Sequence, residues 1–415
     1  MIRRFVNYSL VILSCLVTTS ATEADQWTRF RGPNGSGVSK ATTVPVRWTE
    51  EDYNWKVSLP GVGHSSPVVW KDRIYVTSGD EASSRRFVMC FRAADGKQLF
   101  KRDFEATDYR KHKLNSLASG TPAVDDKHIY ICWGDSDKFT IMGLDHEGRD
   151  VWQRHFEPFK SGHGDGVSPV AYEDLVVFPH EHSGDSSLIA VNRLTGETRW
   201  RVPRKSNSNW STPCVQQRPD ANPEMIFTNW KSGITAIDLD SGRQSWQADV
   251  FDKGHTESSI SSPIVAGDLV LGISGWMGVR IELIAVRPQE NGRQLDAEKI
   301  YCIDRSVPLC TTPLATGDLL FLWSDEGIVS CFDITTGKMH WRKRVGGKYY
   351  SSPICVGASI YNISADGEVV VLSASSEFKE QARNSVGEPS HSTPAVSNGV
   401  LYIRTFSHLM SLGGK

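Results

Sequence analysis

The chain predicts an all-β fold, an eight-bladed β-propeller of four-stranded antiparallel blades whose ring is closed by an N-terminal strand. Three observations lead there. A small hydroxyl residue, or its neighbour, followed by proline returns at Pro67, Pro122, Pro169, Pro213, Pro263, Pro313, Pro353 and Pro394, at intervals of 55, 47, 44, 50, 50, 40 and 41 residues. Each anchor opens a short apolar run, a tight polar turn such as "KDR", "GD" or "NG", and a second apolar run. No long window carries the 3.6-residue apolar spacing of a helical solenoid.

The elements follow in chain order. Residues 1–24, with Arg3 and Arg4 ahead of an apolar stretch too short to span a bilayer, read as a signal peptide. That implies a periplasmic or secreted protein, and a lipid anchor at Cys15 is not expected. Residues 25–52 read as an irregular clasp containing "WTRFRGPNGSGVS", whose glycines precede no helix pattern and so form no phosphate loop. Residues 53–415 read as one propeller.

A second motif closes most repeats, with glycine four residues before an aromatic: Gly96–Phe100, Gly148–Trp152, Gly196–Trp200, Gly242–Trp246 and Gly337–Trp341. The glycine suits a left-handed turn position and the ring suits a wedge between neighbouring sheets. The predicted wedges are Trp55, Phe100, Trp152, Trp200, Trp246 and Trp341. The fifth repeat has Gly292 without the aromatic, so its outer strand is not fixed. The eighth has room for only three strands, and residues 53–60, with Trp55, are expected to supply the fourth and remove two open sheet edges.

Composition narrows the function. The net charge of −2 gives no basic surplus for nucleic acid. Later segments are too polar for a transmembrane helix, and a closed ring needs no second copy, so a monomer is expected. Seven cysteines follow the signal, an odd number without C-x-x-C spacing, and strand-like positions suggest buried small hydrophobes.

The paired "S-S-P-V-V…Y-V" and "D-x-x-T-G-x-x-x-W" motifs resemble the quinoprotein-type, pyrroloquinoline-quinone (PQQ)-like repeat over residues 53–415. That repeat occurs in PQQ-dependent dehydrogenases. It also occurs in the non-enzymatic propeller subunit of the outer-membrane β-barrel assembly machinery. For the dehydrogenases, the resemblance implies PQQ with calcium held by carboxylate and amide side chains, a catalytic Asp and often adjacent cysteines. This chain has no adjacent cysteines, and no calcium set or catalytic Asp aligns with that pattern.

In a propeller, the segments before the anchors and the turns between second and third strands meet at one mouth. The first group offers His64, Ser65, His163, Asp165, Asn209, Trp210, His255, Glu257, Cys310, Tyr349, Tyr350 and His391. The second offers His180, Glu181, His182, Trp230, Lys231, Trp276, Trp323 and Asp325. Asp80, Asp135 and Asp366 read as turn residues. His180 and His182 point the same way on an extended chain, and with His163 and Asp165 form a candidate metal set. No strained nucleophile turn marks a hydrolase. The first expectation is a scaffold that binds a small molecule, glycan or envelope protein at its mouth without redox catalysis. The alternatives are a PQQ-dependent alcohol or sugar oxidoreductase and a carbohydrate-active or carbohydrate-binding propeller.

Overall fold

A computed structural model describes residues 26–107, 110–219, 221–251, 259–276, 278, 280–291 and 294–414. The signal segment with Cys15, and the candidates His255 and Glu257, lie outside the described residues. Eight antiparallel sheets form the ring. Blade one runs outward through Val68–Trp70, Arg73–Asp80, Arg85–Arg92 and Gln98–Glu105. Blades two to six repeat that plan, ending in outer strands Asp150–Phe156, Thr198–Arg204, Gln244–Ala248, Gln294–Ile303 and Met339–Arg344. Blade seven adds Val38–Ser39, parallel to its inner strand Ile354–Val356. Blade eight takes three strands from the C-terminal end and Tyr53–Ser58 as its fourth, so the predicted closure stands.

The anchor motif has a physical cause. The hydroxyl immediately before six of the eight prolines accepts a backbone N–H from the preceding blade. Six such bonds span 2.9–3.2 Å: Ser66 to Thr121, Thr121 to Ser168, Thr212 to Ser262, Ser262 to Thr312, Thr312 to Ser352, and Ser352 to Thr393. The hydroxyl one residue earlier turns inward to its own blade. Ser65 donates to the Thr77 carbonyl, Ser211 to Thr228 and Ser351 to Ile363. Two adjacent hydroxyls therefore satisfy buried backbone groups within and between blades.

The glycine–aromatic motif works across blades rather than within one. Trp55 covers Gly96 of the next blade, Phe100 covers Gly148, Trp152 covers Gly196 and Trp200 covers Gly242. A Cβ on any of these glycines would stand 2.5–2.8 Å from the ring. The indole N–H then reaches a carbonyl of that neighbour, as Trp152 does to Arg193 at 2.9 Å. Blade five has an outer strand after all, reached by a longer hairpin from Ile281–Asn291. Tyr301 is its wedge, covering Gly337 and donating to the Ile334 carbonyl at 2.7 Å. In blade seven the wedge register falls on Ala382, and Trp48 of the N-terminal segment packs in the same apolar cluster. The seven described cysteines are free.

Asp135 is more than a turn residue. It forms a buried 2.6 Å ion pair with Arg86 of blade one and accepts the Trp133 indole N–H at 3.1 Å.

Candidate functional site

The mouth holds a cavity of about 340 Å³ on the axis. Its floor is the N-terminal segment. Trp27 bridges Val69 of blade one, and the Thr28 carbonyl accepts the Val124 N–H of blade two. Arg29 donates to the Pro213 carbonyl, and Asn34 exchanges two 2.7 Å bonds with Val215 of the same blade. Arg31 donates to the carbonyls of Pro313 and Pro353 at 2.8 and 3.2 Å. Between these two arginines, Phe30 faces the cavity. Burial pushes Arg29 down to about 10 and Arg31 to about 9.

The hydroxyl belt of Ser66, Thr121, Ser168, Thr212, Ser262, Thr312 and Thr393 rings the lower wall. Above it stand His64, His163, Trp210, Trp276, Asp325 and His391 from the predicted set, with Cys310 and Tyr350. His64 and His391 are 4.5 Å apart between ring centroids, and His391 lies 4.5 Å from Tyr350. Opposite them, His163 sits 5.9 Å from Trp210 and 5.5 Å from Trp276. The Trp210 indole is fixed by the Gly164 carbonyl at 2.9 Å.

The electrostatics follow from this partly dry setting. Burial lowers His64 to about 3, helped by the charges of His391 and Arg404, and burial lowers His391 to about 4. Both rings are neutral at pH 7. Asp325 is raised to about 6 by burial, against the pull of backbone N–H groups. Its carboxylate accepts the N–H of Leu309 at 2.9 Å and that of Cys310 at 3.1 Å. No lysine or arginine lines this chamber among the described residues.

Other candidates stand away from the cavity wall. Ser65 is buried and held by Arg404 at 2.6 Å. Trp323 and Tyr349 are buried against one another. Trp230 and Lys231 sit on the fourth blade's turn outside the cavity lining. Asp165 faces an interior void with Arg86, Cys132 and Trp133. Glu181 is fully buried and accepts from Arg204, Asn209 and Asn229 at 3.2, 2.6 and 3.1 Å. His180 and His182 pack behind the mouth on Phe139 and Phe159. They do not assemble with His163 and Asp165: among the described residues, no group of three or more His, Cys, Asp or Glu stands close enough to hold a metal.

Sequence reasoning missed His112, Leu114, Asn115 and Phe30. The first three come from the long connection between Gln98–Glu105 and Ala123–Val124, which folds over the mouth. The His112 N–H reaches the His163 carbonyl at 3.1 Å, and Asn115 donates to the carbonyls of His163 and Asp165 at 2.7 and 2.8 Å. The signal was present: the interval from Pro67 to Pro122 is the longest in the series. An adjoining groove of about 670 Å³ opens past His64, Tyr350 and His391 toward Lys113, Lys348 and Asp366.

A family model described as outer membrane protein assembly factor BamB matches residues 48–219 and 305–405. Among solved structures, BamB from Moraxella catarrhalis is similar at 15% identity and a TM-score of 0.62, over 90% of this chain and 97% of that one. Quinohemoprotein alcohol dehydrogenase from Comamonas testosteroni is similar at 12% identity and a TM-score of 0.66, over 94% and 80%. The computationally designed Ika8 protein is similar at 14% identity and a TM-score of 0.53, over 86% and 98%. At these identities the structures bear on the fold alone. No curated protein sequence matches.

Proposed function

Because the chain belongs to the PQQ-like β-propeller family of the outer membrane protein assembly factor BamB, we propose that it is an exported binding propeller whose axial chamber takes a flat, uncharged small molecule. The observation that carries this reading is the chamber itself, about 340 Å³ in volume. Trp210, Trp276, Tyr350 and Phe30 supply aromatic faces, and neutral imidazoles and hydroxyls supply a few polar contacts. Among the described residues no helix is long and apolar enough to cross a membrane.

PQQ with calcium does not suit the residues present. Calcium takes six to eight oxygen ligands. The chamber wall offers the neighbouring carboxylates Asp325 and Glu326, and Asp325 already accepts two backbone N–H groups. The Asn115 amide is likewise engaged through both ends. The quinone's own carboxylates would meet no cation in the inner chamber. These observations favour binding without quinone redox chemistry. The family match also supports an envelope protein as partner, docked over the same mouth.

Trp210 and Trp276 make the test direct. Quenching of tryptophan emission is followed across a panel of planar aromatics, quinones, sugars and PQQ with calcium. The expected result is saturable binding of an uncharged planar ligand, weakened about 10–100-fold in Trp210→Ala and Trp276→Ala, an aromatic contact being worth about 1–3 kcal/mol. PQQ- and calcium-dependent reduction of a dye with an alcohol or sugar would overturn it in favour of an oxidoreductase. Binding confined to sugars would favour the carbohydrate reading.

A further inference from the structure

Counting from the strand pairings, Asp325 of blade six stands at a position that six other blades fill without charge: Gly79, Gly134, Trp230, Gly275, Ala365 and Phe406. Blade three has Glu181 there, and Arg204 pairs with it at 3.2 Å. Asp325 has no cationic partner among the described residues, and no lysine or arginine lines the chamber it faces. Glu326, the next residue, adds a second acid to the same wall. A carboxylate in so dry a place without a compensating charge requires a reason.

The turn does not supply one. The Asp325 carboxylate accepts the N–H of Leu309 at 2.9 Å and that of Cys310 at 3.1 Å. Cys310 stands three residues before its anchor proline, as His64 does in blade one. There the backbone carbonyl of Ala118 accepts the N–H groups of His64 and Ser65, both at 3.0 Å, so the task needs no acid. Two N–H donors also do not exhaust a carboxylate, which offers about four lone-pair sites.

We infer that the ligand of the axial chamber is a planar amino-substituted nitrogen heterocycle of the aminopyrimidine class, its ring nitrogen and amino group turned side by side toward Asp325. The inference rests on the chamber reading above and narrows it. Trp210 of blade four and Trp276 of blade five supply the stacking faces, and Asp325 of the next blade meets the edge. Carboxyl and ring nitrogen hold one proton between them, and the amino N–H donates to the other oxygen. That proton is Asp325's own where the carboxyl is protonated and is taken from solvent where it is ionised; no covalent bond to carbon changes. Burial places Asp325 at about 6, within reach of both forms near neutrality. The paired carboxyl carries no net charge, so the chamber needs no lysine or arginine. A flat hydrocarbon would leave the carboxyl unpaired, and an anion would meet two acids.

The groups packed about Asp325 leave this proton distinct. Cys310 and Glu326 come from its own blade and Tyr350 from blade seven. Burial pushes the Cys310 thiol and the Tyr350 hydroxyl up, so both stay protonated near neutral pH. His64 and His391 are neutral there. His112 and His163 line the same chamber, and whatever they contribute persists when Asp325 is replaced.

The experiment is calorimetric titration with 2-aminoquinazoline and its isostere 2-methylquinazoline, from pH 5.5 to 8, in buffers of different ionisation enthalpy. We expect the amino compound to bind at least about 10-fold more tightly than the methyl compound at pH 6, a margin set by hydrogen bonds to a charged group. At pH 7.5 its binding should take up at least half a proton, and its affinity should fall by up to about tenfold per pH unit above pH 6. Asp325→Asn supplies an acceptor and a donor that do not titrate, so it should bind the amino compound without that uptake. Asp325→Ala should lose the preference for amino over methyl. If the variants do not fold, the preference and the proton uptake of the parent protein decide. Equal affinity for the two quinazolines, uptake absent in the parent or unchanged in Asp325→Asn, or a preference that survives in Asp325→Ala would each overturn the inference. So would saturable binding of other flat ligands but of neither quinazoline, and in all these cases the chamber reading stands. No binding of any flat ligand would overturn both.

Discussion

At the scale of single residues, the mouth is governed by burial of groups that titrate. His64 and His391 are held at about 3 and about 4, below the usual value of 6.5. The unfolded chain therefore binds more protons between pH 6.5 and about 4, and stability rises with pH across that window. Their contribution is complete above pH 6.5 and is lost as pH falls toward the folded-state values. Replacing His391 by leucine removes one such proton and relieves His64 of a neighbouring charge. The pH slope of stability should then fall by up to about 1.4 kcal/mol per pH unit inside the window and stay unchanged above pH 7. Chemical denaturation at pH 4.5, 5.5 and 7.5 checks this, and an unchanged slope would show that His391 is protonated at no cost. The histidines were legible in sequence because they stand just before anchors. Phe30 was not, since its place depends on Arg29 and Arg31 finding carbonyls on three distant blades.

At the scale of the repeated element, the motif that disclosed the fold is explained by hydrogen bonds rather than by strand propensity. Thr312 is a clear case. Its hydroxyl accepts the Ser262 N–H of blade five at 3.2 Å, while its own N–H reaches Ser352 of blade seven at 2.9 Å. Thr312→Val keeps the shape and the second bond but orphans the buried Ser262 N–H. The expected loss is about 1–3 kcal/mol, read from urea denaturation, with little change for a surface threonine such as Thr195. The eight blades were legible because each needs these hydroxyls at one register. Blade five's outer strand was illegible for a related reason. Its wedge is Tyr301, set by strand pairing after a longer hairpin, so the fixed spacing from glycine to aromatic fails there. Blade seven shows the same limit: Ala382 holds the wedge register, and Trp48, far away in sequence, fills the cluster.

At the scale of the whole molecule, two devices convert eight similar sheets into one closed body with a blind chamber. Tyr53–Ser58 joins the chain ends within blade eight and leaves no open gap in the ring. Residues 27–38 then cross the axis and bond blades one, two, four, six and seven. Arg31 is the tightest point of that crossing. It is fully buried, it donates to the carbonyl oxygens of Pro313, Ser36 and Pro353, and burial lowers it to about 9. Arg31→Ala removes the donor to the buried Pro313 and Pro353 carbonyls and to Ser36, and leaves a void against Gly37. Two orphaned carbonyls and a void outweigh the relief of one desolvated charge, so a loss of about 2–4 kcal/mol is expected. Arg31→Met keeps most of the volume and should cost less. Neither side chain lines the chamber, yet both changes loosen the segment that holds Phe30 as its floor. If the floor is part of the ligand's contact surface, Arg31→Met weakens the chamber's ligand by about tenfold at a temperature where the variant is fully folded. Equal affinity in parent and variant, measured by tryptophan quenching beside a melting curve, would mean that the crossing segment serves the ring alone.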